Sequence, residues 1–225
     1  MSTSTPATCE RPPGHAEVVV WDFGNVLVRW DPAEAVADRW SRTEFADLAA
    51  RANFVLLNDR MDSGLPNEEL VEELHARDPE AAEMWRHYVA NVPASLFRDI
   101  AGTAELVDEL ADAGVPQYGL TNWGAAIAPG IRELVPGARR LQGAVVSGLV
   151  GHVKPGREIF GVLIERFGLD PSRTLFIDDR DENTAVAGEL GFLTHTFDTP
   201  GGAGELRTHM ARLGLPVAAT DPARD

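Results

Sequence analysis

Residues 18–27 read Val-Val-Val-Trp-Asp-Phe-Gly-Asn-Val-Leu, an apolar run that ends in one carboxylate, Asp22, and then meets a glycine. A short β-branched run followed by Gly and Asn is typical of a buried strand whose carboxyl end opens into a loop. In doubly wound α/β folds, ligands bind at those carboxyl ends. Asp22 is therefore predicted to be a metal ligand, a nucleophile or both. The stretch alone leaves open that Asp22 only caps the next turn.

The overall charge of the chain narrows the classes of partner. The 225 residues carry 20 Lys and Arg against 35 Asp and Glu, which gives a net charge of −15. This balance argues against nucleic acid as a partner, because binding to a phosphate backbone needs a basic face. Any phosphate site must concentrate positive charge locally, through a metal or a lysine. The length suits one large domain, or a core domain with a substantial insertion.

Cysteine content and hydropathy bear on the compartment. Cys9 is the only cysteine, so we expect neither an internal disulfide nor a cysteine-based metal site. Residues 1–16 lack the apolar segment of a signal peptide. No stretch approaches the roughly 18 consecutive apolar residues of a membrane span. These features predict a cytoplasmic protein without a membrane partner.

The apolar pattern divides the chain into an alternating core and a helical block. Strands are predicted at 17–22, 115–120, 143–147, 174–178 and 193–197, with helices between the later ones. This alternation predicts an α/β fold with a parallel sheet and right-handed crossovers. Residues 31–93 contain no convincing strand and are predicted to form an inserted helical module. The core then comprises 17–30 and 94–213, and the tails 1–16 and 214–225 are expected to be disordered.

The helical block is predicted to begin with a cap. Asp31, Pro32 and Glu34 have the spacing of an N-cap, a first-turn proline and a capping-box glutamate. The helix-capping interpretation of Asp31 is therefore stronger than a role in the site. Trp40 and Trp85 are expected to lie in the core of the module.

Polar residues follow three of the predicted strands. They are Asp22 after the first strand, Thr121 and Asn122 after the second, and Asp178 and Asp179 with Asn183 after the fourth. Lys154 precedes Pro155 at a predicted helix start. Each has an ordinary alternative, such as a helix cap, a turn hydroxyl or a solvated lysine. Their order along the chain nevertheless favours one shared site.

With these four segments in place, the sequence resembles the haloacid dehalogenase-like hydrolase superfamily over nearly its whole length. The matching motifs are Asp22-Phe23-Gly24-Asn25-Val26, Leu120-Thr121-Asn122, Lys154-Pro155, and Phe176-Ile177-Asp178-Asp179 with Asn183. The block 31–93 resembles the α-helical C1 cap that one subgroup inserts after the first strand. The expected fold is then a doubly wound (Rossmann-like) parallel sheet of strand order 3-2-1-4-5, carrying that cap.

The resemblance implies a Mg²⁺-dependent phosphatase that acts on a small phosphorylated metabolite. Asp22 would attack phosphorus and form an aspartyl-phosphate. Mg²⁺ would be held by Asp22, the Gly24 carbonyl and Asp179, with Asp178 bound directly or through water. The substrate phosphate would be bound by Thr121, the Asn122 backbone N–H, Asn25 and Lys154, and Lys154 would also neutralise charge during the reaction. The protein is expected to be a monomer or a homodimer.

Gly24 departs from the usual family pattern, which has a second aspartate at this position as general acid and base. A glycine cannot protonate the leaving oxygen, a contribution of about 10²–10⁴-fold in rate. Phosphatases that act on sugar phosphates, glucose 1-phosphate among them, have a similar Asp-x-Gly-Asn-Val motif, and an anomeric leaving group demands less of an acid. His87, Asp59, Asp62 or a water could supply the proton. Arg60, Trp85, His87 and Trp123 are candidates for the mouth of the site.

Two other functions stay open at this point. A 2-haloacid dehalogenase needs no proton for its leaving halide, yet the adjacent Asp178 and Asp179 would repel a carboxylate substrate, so this pair favours phosphate. A catalytically weak binding protein on the same fold is the third possibility. Retention of Asp22, Lys154 and both acids argues against it.

Overall fold

The computed structural model of the chain describes residues 14–218, which form a central parallel sheet with helices on both faces and a helical segment between two of its strands. The strands are β1 (Val18–Trp21), β2 (Val28–Trp30), β3 (Leu96–Asp99), β4 (Gln117–Thr121), β5 (Gly143–Val146), β6 (Thr174–Asp178) and β7 (Leu193–Thr196). The helices are α1 (Arg42–Ala52), α2 (Phe54–Asp62), α3 (Asn67–Arg77), α4 (Pro79–Ala90), α5 (Thr103–Asp112), α6 (Ile131–Leu134), α7 (Ser147–Val150), α8 (Arg157–Phe167), α9 (Asp181–Glu189) and α10 (Gly204–Arg212). The predicted α/β class is confirmed.

The sheet has the order β5-β4-β1-β6-β7, and all neighbouring strands are parallel. When only these five parallel strands are numbered in chain order, the order across the sheet is 3-2-1-4-5. The structure adds a separate antiparallel pair, β2 with β3, that was not predicted. These two strands are short and mostly solvent-accessible, so they lack the apolar run that marks the other five.

Strand β1 occupies the middle of the sheet because both of its faces are apolar. Val19 and Trp21 are fully buried in a cluster that includes Leu106 of α5. Val20 points to the opposite face and is fully buried with Phe160 of α8. Alternate side chains of a strand face opposite sides, so a continuous apolar run requires cover on both.

The register of the sheet aligns three strand ends. Trp21 lies opposite Ile177 of β6 and opposite Gly119 of β4. One residue further along each strand come Asp22, Asp178 and Leu120. The carboxyl ends of the three central strands therefore meet at one edge, which is where the sequence predicted the site.

Residues 32–95, called the helical segment below, contain α1–α4 and lie between β2 and β3. Their core is aromatic: the ring of Phe54 contacts those of Phe45, Trp85 and Tyr88 at centroid distances of 5.6, 5.4 and 4.8 Å. Trp85 is fully buried, as predicted, whereas Trp40 is only partly buried.

Asp31 caps the start of the helical segment, as predicted, since its side chain accepts a hydrogen bond from Ala33 N–H at 3.0 Å. The helix that follows is a short 3₁₀ helix, Pro32–Val36, and Glu34 does not complete a capping box. That part of the prediction is wrong: the Glu34 carboxylate pairs with Arg42, which also binds Asp31.

The predicted tails extend beyond the described residues: residues 1–13, which include Cys9, and 219–225 lie outside them. Within the described range, Ala16 and Leu215 are buried, and Ala16 N–H donates to Leu213 O at 2.9 Å. Among residues 14–218, every helix is too short or too polar to cross a bilayer.

Candidate active site

Lys154 lies at the centre of the polar edge of the sheet. Its ammonium donates to Asp178 Oδ2 at 2.6 Å and to Leu120 O at 2.9 Å, and it forms an ion pair with Asp22 Oδ1 at 2.9 Å. These three acceptors belong to the residues that the register brings side by side. The side chain of Lys154 is only 2% exposed, and it is the only lysine in the sequence. Burial lowers the pKa of Lys154, but Asp178 and Asp22 outweigh it and hold the ammonium charged.

Asn122 holds the backbone of Lys154 in place. Its side chain accepts from Lys154 N–H and donates to Lys154 O, both at 2.9 Å. The Asn122 side chain is thus occupied in positioning the lysine. Its backbone N–H, to which the sequence analysis assigned phosphate binding, is a separate group beside Thr121 at the end of β4, and both residues line the cavity described below.

Three carboxyl groups lie close together beside the Lys154 ammonium. Ligand oxygens of Asp22, Asp178 and Asp179 all lie within 4.8 Å of one another. Burial is the main cause that raises the pKa of Asp22; Lys154 opposes it, and Asp178 and Asp179 add to it. Burial and then Asp178 likewise raise the pKa of Asp179. One ammonium beside three acids leaves a local excess of negative charge, which favours a bound cation.

The three acids differ in what already contacts them. Asp178 is fully buried: its Oδ1 accepts from Asn183 Nδ2 at 2.8 Å and Arg180 N–H at 3.0 Å, while Lys154 occupies Oδ2. Asp178 does not line the cavity, whereas Asp22 and Asp179 do. Asp22 and Asp179 are therefore the carboxylates that a ligand in the cavity can reach directly.

The donor set fits a hydrated Mg²⁺. Carboxylate and carbonyl oxygens are the ligands of this ion, and it keeps several of its waters. Asn183 is 2% exposed and its Oδ1 has no hydrogen-bond partner among residues 14–218. A buried acceptor of this kind is rare without a compensating donor. Asn183 also lines the cavity, so a metal-bound water could satisfy it.

The loop after β1 places Gly24 and Asn25. Asn25 adopts a left-handed backbone with φ of 59°, which asparagine tolerates better than most residues. Its N–H donates to Val28 O at 2.7 Å, and its Oδ1 accepts from Trp30 N–H at 3.3 Å. Its side chain also lies near Asp179 and opposes the rise in the pKa of that carboxyl. Asn25 does not line the cavity, unlike Gly24. The prediction that Asn25 contacts substrate therefore becomes one in which it positions Asp179.

A cavity of about 360 Å³ opens in front of these groups. Its polar floor comprises Asp22, Gly24, Thr121, Asn122, Lys154, Asp179, Arg180 and Asn183. Its largely apolar walls come from Trp30, Val55, Met61, Tyr88, Val92, Leu96, Trp123 and Ile127. Three polar residues of α2, namely Asn58, Asp59 and Asp62, complete the lining.

Of the four predicted mouth residues, only Trp123 lines the cavity. The other three predictions are wrong because each side chain has a partner elsewhere. Arg60 pairs with Glu73 at 2.6 Å, Trp85 is buried in the aromatic core, and His87 bonds Asp38 at 2.8 Å. Trp30 of β2 and Asn58 and Tyr88 of the helical segment also line the cavity, although none of them was predicted. The residues of the helical segment that face the cavity depend on how the segment docks.

Comparisons with known proteins agree with this geometry. Residues 16–191 match the haloacid dehalogenase-like hydrolase profile. A D-ribitol-5-phosphate phosphatase from Bacteroides thetaiotaomicron is 44% identical over 54 residues, or 24% of this chain, so the match spans a quarter (25%) of that enzyme. A sesquiterpene phosphatase from Aspergillus oryzae is 24% identical over 204 residues, which cover 85% of this chain and 95% of that enzyme.

A solved structure shows the same fold. It is a HAD family enzyme from Bacteroides thetaiotaomicron in complex with magnesium and inorganic phosphate, with a TM-score of 0.66 and 20% identity over 85% of this chain and 98% of that one. The family match itself runs from just before β1 to just past α9 and includes every residue of the polar floor. The chain belongs to the haloacid dehalogenase-like hydrolase family.

Proposed function

We propose that this hydrolase cleaves phosphate monoesters of small alcohols through attack of Asp22 on phosphorus, with Mg²⁺ as cofactor. The observation that carries the proposal is the contact of one buried ammonium, Lys154, with both Asp22 and Asp178, next to Asp179. Such a cluster pairs a nucleophile with the positive charge that a phosphate dianion requires. An aspartyl-phosphate on Asp22 would split the displacement into two easier steps.

Six residues of the polar floor, together with Asp178 behind it, have a role in this proposal. Asp22, Asp179 and the Gly24 carbonyl would hold Mg²⁺, which when bound neutralises negative charge on the phosphate and the carboxylates. Asp178 would orient Lys154, since its oxygens are already occupied. The Thr121 hydroxyl and the Asn122 N–H would bind phosphate oxygens, and Lys154 would stabilise the charge that develops during attack.

The cavity walls restrict which alcohol portion of a phosphate ester can bind. Trp30, Trp123 and Ile127 offer apolar surface suited to a carbon skeleton or the face of a sugar ring. Asp59, an exposed acid in the lining, disfavours a second anionic group on the substrate. A sugar or polyol phosphate satisfies both conditions. The D-ribitol-5-phosphate phosphatase among the relatives supports a polyol phosphate. The sesquiterpene phosphatase, and the magnesium and phosphate in the solved structure, support phosphate-ester hydrolysis in general.

We also propose that the helical segment acts as a cap. Its residues Val55, Asn58 and Asp62 from α2 line the same cavity as the polar floor. A segment joined to the sheet through the β2–β3 pair could close over a substrate and exclude water.

A dehalogenase reaction is less compatible with the cavity. Gly24 permits it, because a leaving halide needs no proton. However, Asp59 and Asp179 both line the cavity and would repel a 2-haloacid carboxylate.

A phosphate-release assay over a panel of sugar, polyol and prenyl phosphates, with Mg²⁺ and with EDTA, tests the proposal. We expect Mg²⁺-dependent release that Asp22→Asn abolishes. The matched control is Asp181→Asn, the same chemical change at an exposed residue of α9. Metal-independent halide release from a 2-haloacid would contradict the proposal. Equal activity of wild type and Asp22→Asn on every ester would do so too.

A further inference from the structure

The cavity is lined by an acid that can take the role of the aspartate absent at position 24. Gly24 supplies no proton donor, and the residue of the helical segment best placed to replace it is Asp62, the last residue of α2. We propose that the Asp62 carboxyl protonates the leaving oxygen and afterwards accepts the proton of the attacking water. This inference rests on the proposed phosphatase function.

Asp62 lies in the wall of the same cavity as Asp22 and Gly24, although it is only 4% exposed. It belongs to α2 of the helical segment, whereas the polar floor comes from the ends of the sheet strands and the segments that follow them. A substrate whose phosphate binds at the floor places its alcohol portion in the rest of the same cavity, which Asp62 lines. The Asp62 carboxyl is therefore available to the part of the substrate that departs.

The surroundings of Asp62 favour the protonated form of its carboxyl. Among residues 14–218, no Lys, Arg or His forms an ion pair with it. The groups that face it are Asp59 from its own helix, Tyr88 from α4, Asn58, and the Gly124 N–H from the core. Burial, followed by the nearby Asp59, raises the pKa of Asp62 well above its ordinary value. A general acid must be protonated in this way at the start of the reaction.

A chain of hydrogen bonds fixes the orientation of the Asp62 carboxyl. The Tyr88 hydroxyl donates to Asn58 Oδ1 at 3.1 Å. Asn58 Nδ2 donates to Asp62 Oδ2 at 2.8 Å. An amide oxygen can only accept, so the Tyr88 hydroxyl engages Oδ1 and leaves the NH₂ group for the carboxyl. Asn58 must therefore present its NH₂ to Asp62, which holds the carboxyl in one rotamer facing the cavity.

The other candidates lack one of these properties. Asp59 lines the cavity but is exposed. His87 bonds Asp38 and does not line the cavity. Tyr88 is too weak an acid, because burial raises its pKa further.

The proposed steps balance. As Asp22 Oδ forms its bond to phosphorus, the bond from phosphorus to the leaving oxygen breaks, and the Asp62 proton moves to that oxygen to give the free alcohol. In the second half, water attacks phosphorus, the bond to Asp22 breaks, and the Asp62 carboxylate takes up the water proton. The products are alcohol and inorganic phosphate, and both aspartates return to their starting state.

A pair of aryl phosphates of nearly equal shape tests the role of Asp62. The leaving group of 4-nitrophenyl phosphate is stable as an anion, whereas that of phenyl phosphate needs a proton. For Asp62→Asn we expect kcat/KM, which reports the steps up to formation of the aspartyl-phosphate, to fall by about 10²–10⁴-fold on phenyl phosphate and by less than about tenfold on 4-nitrophenyl phosphate. The matched control, Asp47→Asn, makes the same chemical change at an exposed residue of α1 that does not line the cavity, and it should affect both substrates little.

The outcomes separate this inference from the function on which it depends. Retained activity of Asp62→Asn on 4-nitrophenyl phosphate also shows that the variant folds. An equal loss of kcat/KM on both substrates, or no loss on either, would overturn the role of Asp62 as the acid for the leaving group and leave the phosphatase proposal intact. If the wild type hydrolyses neither ester, or if Asp22→Asn matches it, the phosphatase function fails and the inference with it.

Discussion

Nζ of Lys154 lies 2.9 Å from Oδ1 of Asp22 and 2.6 Å from Oδ2 of Asp178, with all three side chains almost fully buried. The lysine comes from the loop before α8, and the two aspartates end adjacent strands. Lys154 thus compensates the charge of two carboxylates that are too buried for water to stabilise. The same two ion pairs therefore contribute both to the stability of the folded protein and to the proposed reaction.

Replacement of Lys154 by Met should destabilise the protein strongly. Removal of one partner from a buried ion pair leaves an uncompensated charge and costs about 3–5 kcal/mol. Urea denaturation without Mg²⁺ measures this change in the free energy of unfolding. Arg157→Met is the control, because Arg157 forms only an exposed pair with Glu189 and should cost less than about 1 kcal/mol. Equal losses in the two variants would contradict the central role of Lys154.

Mg²⁺ should stabilise the wild type against heat, and Asp179→Asn should remove most of that effect. A ligand at a hundredfold excess over its Kd adds about 2.7 kcal/mol to the folded state. Asp179 lines the cavity, whereas Asp181 is exposed on α9. Thermal unfolding with MgCl₂ and with EDTA, for both Asp179→Asn and Asp181→Asn, compares the two. An unchanged Mg²⁺ effect in Asp179→Asn would place the metal elsewhere.

The stability of the metal-free protein should depend on pH through Asp62. Burial raises the pKa of Asp62 in the folded state above its unfolded value of 3.8. Between those two pKa values the folded chain retains a proton that the unfolded chain releases, so stability falls as pH rises, by up to about 1.4 kcal/mol per unit.

The Asp62→Asn variant isolates this contribution, because it removes one carboxyl and leaves Asp22 and Asp179 in place. Urea titrations of both proteins from weakly acidic to weakly alkaline pH give the comparison. We expect the wild type to lose stability relative to the variant as pH increases. A constant difference would mean that the folded state does not perturb this carboxyl.

Gly24→Asp should give the site an acid on the loop after β1. A Cβ at Gly24 would lie 3.9 Å from both Trp30 Cβ and Trp123 Nε1, which is ordinary contact, so a side chain can be accommodated. In the Asp62→Asn background, this substitution should restore turnover of phenyl phosphate by at least about tenfold. Gly24→Ala in the same background controls for the added Cβ. Equal turnover in the two double variants would show that an acid at position 24 cannot reach the leaving oxygen.

The sequence alone determined which residues end the central strands. Asp22, Lys154, Asp178 and Asp179 could be selected because apolar runs mark parallel strands, and the carboxyl ends of such strands meet at one edge. The tertiary structure brings these four side chains together. The alternation of strands and helices similarly predicted the fold class, since local periodicity follows from which faces must be buried.

Only the tertiary structure decided what faces the substrate. Helical periodicity predicts which side of a helix is buried, but it does not distinguish burial in the segment's own core from burial against a cavity. Trp85 and Tyr88 lie three residues apart on α4, yet Trp85 packs inside the helical segment while Tyr88 also lines the cavity. Asp62 and His87 were equal candidates by residue type. The docking of α2 and α4 against the sheet separates them, because docking depends on contacts between residues far apart in the chain.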